Sequence, residues 1–156
     1  CFSYDDIFVF MIFSKTLGYA VRGILYVVLK SEDGNKVQLS EIASQLVVPR
    51  HFLGKVMKKM VKAKIIGSMK GPFGGFFVNE NTRSTSLARL MELTGEDVRL
   101  TSCVLKLRKC NAQNPCPMHD KAVALRNQWH DLLSSTTIND LVRKDYDVAI
   151  KSITAL

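Results

Sequence analysis

Apolar residues recur at helical spacing over residues 14–30, where Leu17, Ala20, Val21, Ile24, Leu25 and Val28 fall on one stripe. A period near 3.6 with polar residues between predicts an amphipathic helix that turns this stripe inward. Ser31-Glu32-Asp33-Gly34-Asn35 then breaks the pattern with turn-forming residues. A shorter helix is predicted over residues 39–46, with Ile42, Ala43 and Leu46 facing inward, and Val47-Val48-Pro49 interrupts it. Pro49 suits the first turn of a third helix, because the N–H that proline lacks would be unpaired there anyway. That helix, roughly residues 49–63, is expected to bury Phe52, Leu53, Val56 and Met60. Arg50, Lys55, Lys58, Lys59 and Lys62 are left on or beside its outer face. Two short helices joined by a tight turn, the second one basic, make a helix-turn-helix.

The pattern then changes period. Residues 65–70 read as a strand, Gly71-Pro72-Phe73-Gly74-Gly75 as a turn and residues 76–78 as the returning strand. A hairpin directly after a helix-turn-helix is a wing. Residues 86–94 read as a helix closed by Gly95, and residues 96–118 are irregular. A longer helix is predicted over residues 119–134, carrying Ala122, Leu125, Trp129, Leu132 and Leu133 on one stripe. This stripe either pairs with its twin in a dimer or packs on its own domain. Thr137 is expected to cap a last short helix reaching Val142. The fold class is mainly α with a small β-hairpin wing, a winged helix-turn-helix plus a long dimerisation helix. Residues 11–80 are expected to form the winged helix-turn-helix domain that would bind DNA, residues 81–156 the cysteine loop and dimerisation helix region, and residues 1–10 an extension.

Charge sharpens this picture. Formal net charge is +8, and between Ile42 and Asn79 there is no Asp or Glu. Within that window Arg50, Lys55, Lys58, Lys59, Lys62, Lys64 and Lys70 are all cationic. A focused basic patch points to a polyanion, against the plainer reading of a solvated lysine-rich face. No run of about 18 apolar residues exists, so no membrane-spanning helix is expected. The apolar residues 7–13 follow Asp5 and Asp6, where a secretory signal would carry basic residues, so a cytoplasmic location is expected. No Ser/His/Asp set or paired carboxylates compose an active site, so no enzyme is expected.

Cys103, Cys110, Cys116 and His119 form C-x6-C-x5-C-x2-H, four soft or borderline donors on a loop ending at a helix start. Crowded thiols in such a loop suggest a metal, a cluster or redox chemistry. Structural zinc sites usually open with a close cysteine pair, whereas wide gaps suit an iron–sulfur cluster. Zinc and free or redox-switching thiols stay open beside the cluster.

Four segments carry a family resemblance: Ser14-Lys15-Thr16-Leu17-Gly18-Tyr19-Ala20-Val21; Leu39-Ser40-Glu41-Ile42-Ala43; the wing Lys70-Gly71-Pro72-Phe73-Gly74-Gly75-Phe76; and three cysteines before a long helix. On these the chain resembles the IscR/NsrR-type family of small winged-helix transcription regulators, over roughly residues 11–142. The resemblance implies a homodimer with the long helix crossing to the partner. It also implies that Cys103, Cys110 and Cys116 are cluster ligands. A histidine three positions after the last cysteine implies a 2Fe–2S centre with His119 as fourth ligand. The branch that instead takes an acidic ligand from the first helix would have it where this chain has Gly18. The first two cysteines here stand one residue farther apart than in the family.

The second helix of such a motif enters the major groove with its N-terminal part against base edges. Arg50, His51 and Lys55 are the candidates for that contact. Lys58, Lys59 and Lys62 are expected to meet phosphates, which position a protein without reading sequence. Lys70 follows the wing toward the minor groove, and Gly54 occupies a position where relatives often carry a polar base-reading side chain. The expected partners are double-stranded DNA with a pseudo-palindromic promoter site and a second copy of the chain. The reading from another class is a protein-binding module whose basic face meets an acidic protein.

Overall fold

Helix α1 spans Lys15–Lys30 and is capped by Ser14, whose hydroxyl accepts from the Leu17 amide at 3.3 Å. The computed structural model describes residues 14–31, 34–95, 105, 111–142, 151 and 153–154. The N-terminal extension expected over residues 1–10, together with Cys103 and Cys110, lies outside the described residues. After α1 come α2 (Leu39–Gln45), α3 (Arg50–Lys62), β1 (Gly67–Met69), β2 (Gly75–Phe77), α4 (Leu87–Thr94), α5 (His119–Ser135) and α6 (Ile138–Leu141). The strands pair antiparallel, with Gly67 opposite Phe77 and Met69 opposite Gly75. The architecture is the mainly helical, hairpin-bearing one that periodicity predicts.

The predicted inward faces of the first two helices are buried: Leu17, Ala20, Ile24, Leu25 and Val28 on α1, and Ile42 and Ala43 on α2 with Leu46 just beyond it. Leu53, Val56, Met57 and Met60 of α3 complete the centre of the core. Helices α1 and α3 approach closely because Gly23 carries no side chain. A Cβ there would stand 2.9 Å from Met57 Sδ. Phe52 departs from expectation. It is 37 % exposed, and its ring meets Tyr19 edge-on at a centroid distance of 5.6 Å. Phe52 lies on the flank of α3 next to the core-facing line of Leu53, Val56 and Met60, so it leans on the α1 surface instead of entering the centre.

Helices α2 and α3 both end in Schellman motifs. After α2, the Val47 amide donates to the Ser44 carbonyl and the Val48 amide to the Ala43 carbonyl. After α3, Lys64 donates to Val61 and Ile65 to Met60 in the same pattern. The motif needs a left-handed residue, usually glycine, yet Val47 and Lys64 fill it with φ of 52° and 59°. Helix α4 uses Gly95 at φ 80° for the same purpose.

The wing is tied to the body on both sides. Val37 exchanges two backbone hydrogen bonds with Phe76, at 2.9 and 2.8 Å, adding a short third edge that the sequence pattern did not reveal. Gly75 lies against Val37 at φ 152°, and a Cβ there would come within 2.6 Å of the Val37 carbonyl oxygen. Where the chain leaves the wing, fully buried Thr82 donates to the Ile65 carbonyl at 2.7 Å and accepts from the Asn79 amide at 2.9 Å.

Helix α5 splits its predicted stripe. Ala122 and Leu133 are buried and Trp129 packs against the core, but Leu125 and Leu132 are 55 % and 53 % exposed. Helix α5 rests one edge of a broad apolar stripe on α4 and leaves the other edge open. Thr137 caps α6 with Asp140 in a reciprocal capping box.

Candidate nucleic-acid interface

The basic face rests on α3, which is held by its apolar side and therefore presents its other side outward. Arg50, His51, Lys55, Lys58, Lys59 and Lys62 are all exposed on it, and Lys70 is exposed at the start of the wing turn. The structure brings the last of these together. Lys58 and Val61 of α3, Leu39 of α2, and Met69, Lys70 and Phe76 of the hairpin line one open groove of about 510 Å³. Arg50, His51 and Lys55 occupy the first two turns of α3, the end that a recognition helix points at base edges.

Gly54 is buried, and a Cβ there would meet Leu39 Cδ2 at 3.1 Å. This position therefore packs α3 onto α2 and does not face outward, so a base-reading side chain would not fit here without displacing Leu39. Periodicity places residue 54 beside buried Leu53, which is the signal that could have shown it.

Of the four candidate metal donors, Cys116 and His119 are described. Both are half-buried, and the His119 amide donates to the Cys116 carbonyl at 2.9 Å, so the two stand one turn apart at the start of α5. Cys116 is a free thiol. A cysteine and a histidine one turn apart at a partly open helix start are residue types that suit a soft or borderline metal centre. Among the described residues, no third candidate donor joins them.

Two features escaped the sequence reading. Arg22 of α1 is half-buried and donates through Nε to the Ile153 carbonyl at 2.7 Å and through Nη2 to the Leu46 carbonyl at 3.0 Å. Burial lowers its pKa from the ordinary arginine value, with Tyr19 opposing that shift. Phe73, at the wing tip, is 91 % exposed.

A cationic helix laid open beside a glycine-rich hairpin, on a helix-turn-helix scaffold, defines a winged-helix DNA-binding protein. The chain belongs to the Rrf2 family, described as "Iron-dependent Transcriptional regulator", whose model matches residues 13–144. It is 37 % identical over 134 residues to an HTH-type transcriptional regulator of Aquifex aeolicus (strain VF5), covering 85 % of this chain and 92 % of that one. It is 27 % identical over 142 residues to the HTH-type transcriptional regulator IscR of Vibrio campbellii, covering 85 % and 83 %. Among solved structures the fold is similar to CymR, the global cysteine regulator of B. subtilis, with a TM-score of 0.68, 17 % identity, and 83 % and 95 % of the two chains covered. T. potens IscR matches with a TM-score of 0.63 at 15 % identity, covering 83 % and 85 %. Members of the family are transcriptional regulators and not enzymes, as the lack of an active-site constellation leads one to expect. No helix among the described residues is long and apolar enough to cross a membrane.

Proposed function

We propose that this chain is a homodimeric regulator acting in the cytoplasm, which reads a pseudo-palindromic duplex with α3 and senses redox state, iron or nitric oxide through the cysteine loop. The observation that carries the reading is the run of exposed cations on α3 and the wing, uninterrupted by any acid between Ile42 and Asn79. Arg50, His51 and Lys55 then read bases, while Lys58, Lys59, Lys62 and Lys70 hold phosphates and the groove edge. Residues 11–80 supply this contact, and residues 81–156 supply the sensing loop and the dimer helix. The open edge of α5, Leu125 and Leu132, supports a second copy as partner, because exposed leucines two turns apart form a seam for a matching helix.

Cys103, Cys110, Cys116 and His119 would hold an iron–sulfur cluster, of the 2Fe–2S type on the strength of His119. Such a cluster supplies one-electron redox chemistry and reactivity toward oxygen and nitric oxide. The family description as iron-dependent supports this, as does the spacing of Cys116 and His119 one turn apart at the start of α5. Zinc, or a thiol switch on the same cysteines, is the second reading. It is favoured by the accessible free thiol of Cys116 and by the fold shared with CymR, a cysteine regulator for which an oxidized form has also been solved.

Two measurements test the proposal. Duplexes selected by the wild-type chain from a random pool should lose binding to an Arg50→Glu, Lys55→Glu variant. Unchanged binding overturns the DNA reading. The protein purified without oxygen should absorb visible light and contain iron and acid-labile sulfide. A colourless preparation with zinc, or with no metal, transfers the site to the second reading.

A further inference from the structure

A phenyl ring that is 91 % exposed at a turn tip is in contact with almost nothing of its own chain. Large apolar side chains standing free in water commonly belong to contact surfaces. The backbone on either side of Phe73 is tied down. The Gly74 amide closes the turn on the Gly71 carbonyl at 3.0 Å, and Gln38 Nε2 donates to the Pro72 carbonyl at 3.2 Å. The backbone of Gly74 lies so near Met69 that a Cβ would collide with the Met69 carbonyl oxygen. The hairpin behind the tip is braced by Val37.

The tip is also a projection. On one side lies the groove shared with Lys58 and Lys70. On the other, a second hollow of about 390 Å³ separates Pro72, Phe73 and Gly74 from the turn at Gly34, Asn35 and Lys36. The exposed ring thus sits at a turn whose neighbours Pro72 and Gly74 line both hollows, with Lys70 bordering one and Lys36 the other. Cations beside an apolar point on a slender rigid element are what a side chain needs to enter the minor groove, where phosphates flank the opening and stacked bases form the floor. Proteins that use phenylalanine this way part a base step and kink the duplex.

We propose that Phe73 is such a wedge: it enters the minor groove beside the α3 contact and partly unstacks one base step, so that DNA bound by this chain is bent beneath each wing. The proposal rests on the reading of the chain as a DNA-binding regulator and adds a specificity-determining residue to it, since flexible pyrimidine–purine steps open most easily. Sites bound tightly should then carry such a step at a fixed distance from the bases read by α3.

The test uses a duplex selected by the wild-type full-length chain from a random pool, labelled at its ends for energy transfer and scanned with 2-aminopurine. The wild-type chain should bend it by about 20–90° and brighten 2-aminopurine at one step per half-site. Phe73→Ala should still select the same bases but bind about tenfold more weakly, with the bend and the brightening lost. Phe73→Leu, which keeps an apolar wedge, should retain part of both. Because the ring is 91 % exposed, the alanine variant should melt with the wild type, which circular dichroism checks. Wild-type bending and fluorescence from Phe73→Ala overturn the wedge. In that event, loss of binding by Arg50→Glu shows that the DNA reading itself stands. Failure of the wild-type chain to select any duplex overturns both.

Discussion

The Val48 amide donates to the carbonyl of Ala43 at 3.0 Å, and this one bond turns the chain out of α2 toward the recognition helix. To make it, Val47 must adopt φ of 52°, a left-handed conformation that a β-branched residue occupies only under constraint. Its side chain is 73 % exposed and gains little packing in return. Asparagine tolerates this conformation. Val47→Asn should therefore stabilise the protein by about 1 kcal/mol and raise Tm by about 3 °C in a thermal melt. An unchanged or lowered Tm would show that Val47 contributes contacts outweighing its backbone strain.

Arg22 joins places distant in the chain, the end of α2 at Leu46 and the backbone of Ile153, 131 residues further on. Arg22→Met keeps most of the aliphatic stem but leaves both carbonyls without the guanidinium. The loss should be about 2 kcal/mol in a denaturant titration. Arg22→Lys should recover part of it, since an ammonium lacks the fork that serves two acceptors at once. Stability equal to wild type in Arg22→Met would mean that water replaces both bonds at no cost.

The lysines on the second half of α3 are assigned to phosphates, so they should act on affinity without acting on sequence choice. Replacing Lys58, Lys59 or Lys62 singly by Gln should weaken binding to matched and mismatched duplexes alike. Each change should also reduce the slope of log K against log salt by about 1. A lysine whose replacement leaves the slope intact does not touch the backbone. One whose replacement alters the selected bases belongs with Arg50, His51 and Lys55 instead.

Leu125 and Leu132 are exposed on α5, so charging them disturbs little of the chain's own core. The double change Leu125→Lys, Leu132→Lys should give a folded monomer by sedimentation and should bind a single half-site weakly. A variant that still sediments as a dimer would place the interface elsewhere.

The linear order of side chains was enough to define most elements of this protein and the character of its surface. Apolar residues at a 3.6 period mark α1, α2, α3 and α5, Ser14 and Thr137 mark helix starts, Gly95 a helix end, and the acid-free window from Ile42 to Asn79 marks the basic face. These signals are local: each depends on neighbours within a turn or two, which the order of residues already specifies. Tertiary packing decided the rest. A broad stripe does not say which of its edges meets the core, so Phe52 leans on Tyr19, Leu125 and Leu132 stay open, and Gly54 lies beneath Leu39. Nor does periodicity disclose that Val37 braces the wing or that Arg22 reaches Ile153. Those pairings join residues far apart in the chain, and only the packing of the core brings them within hydrogen-bonding distance.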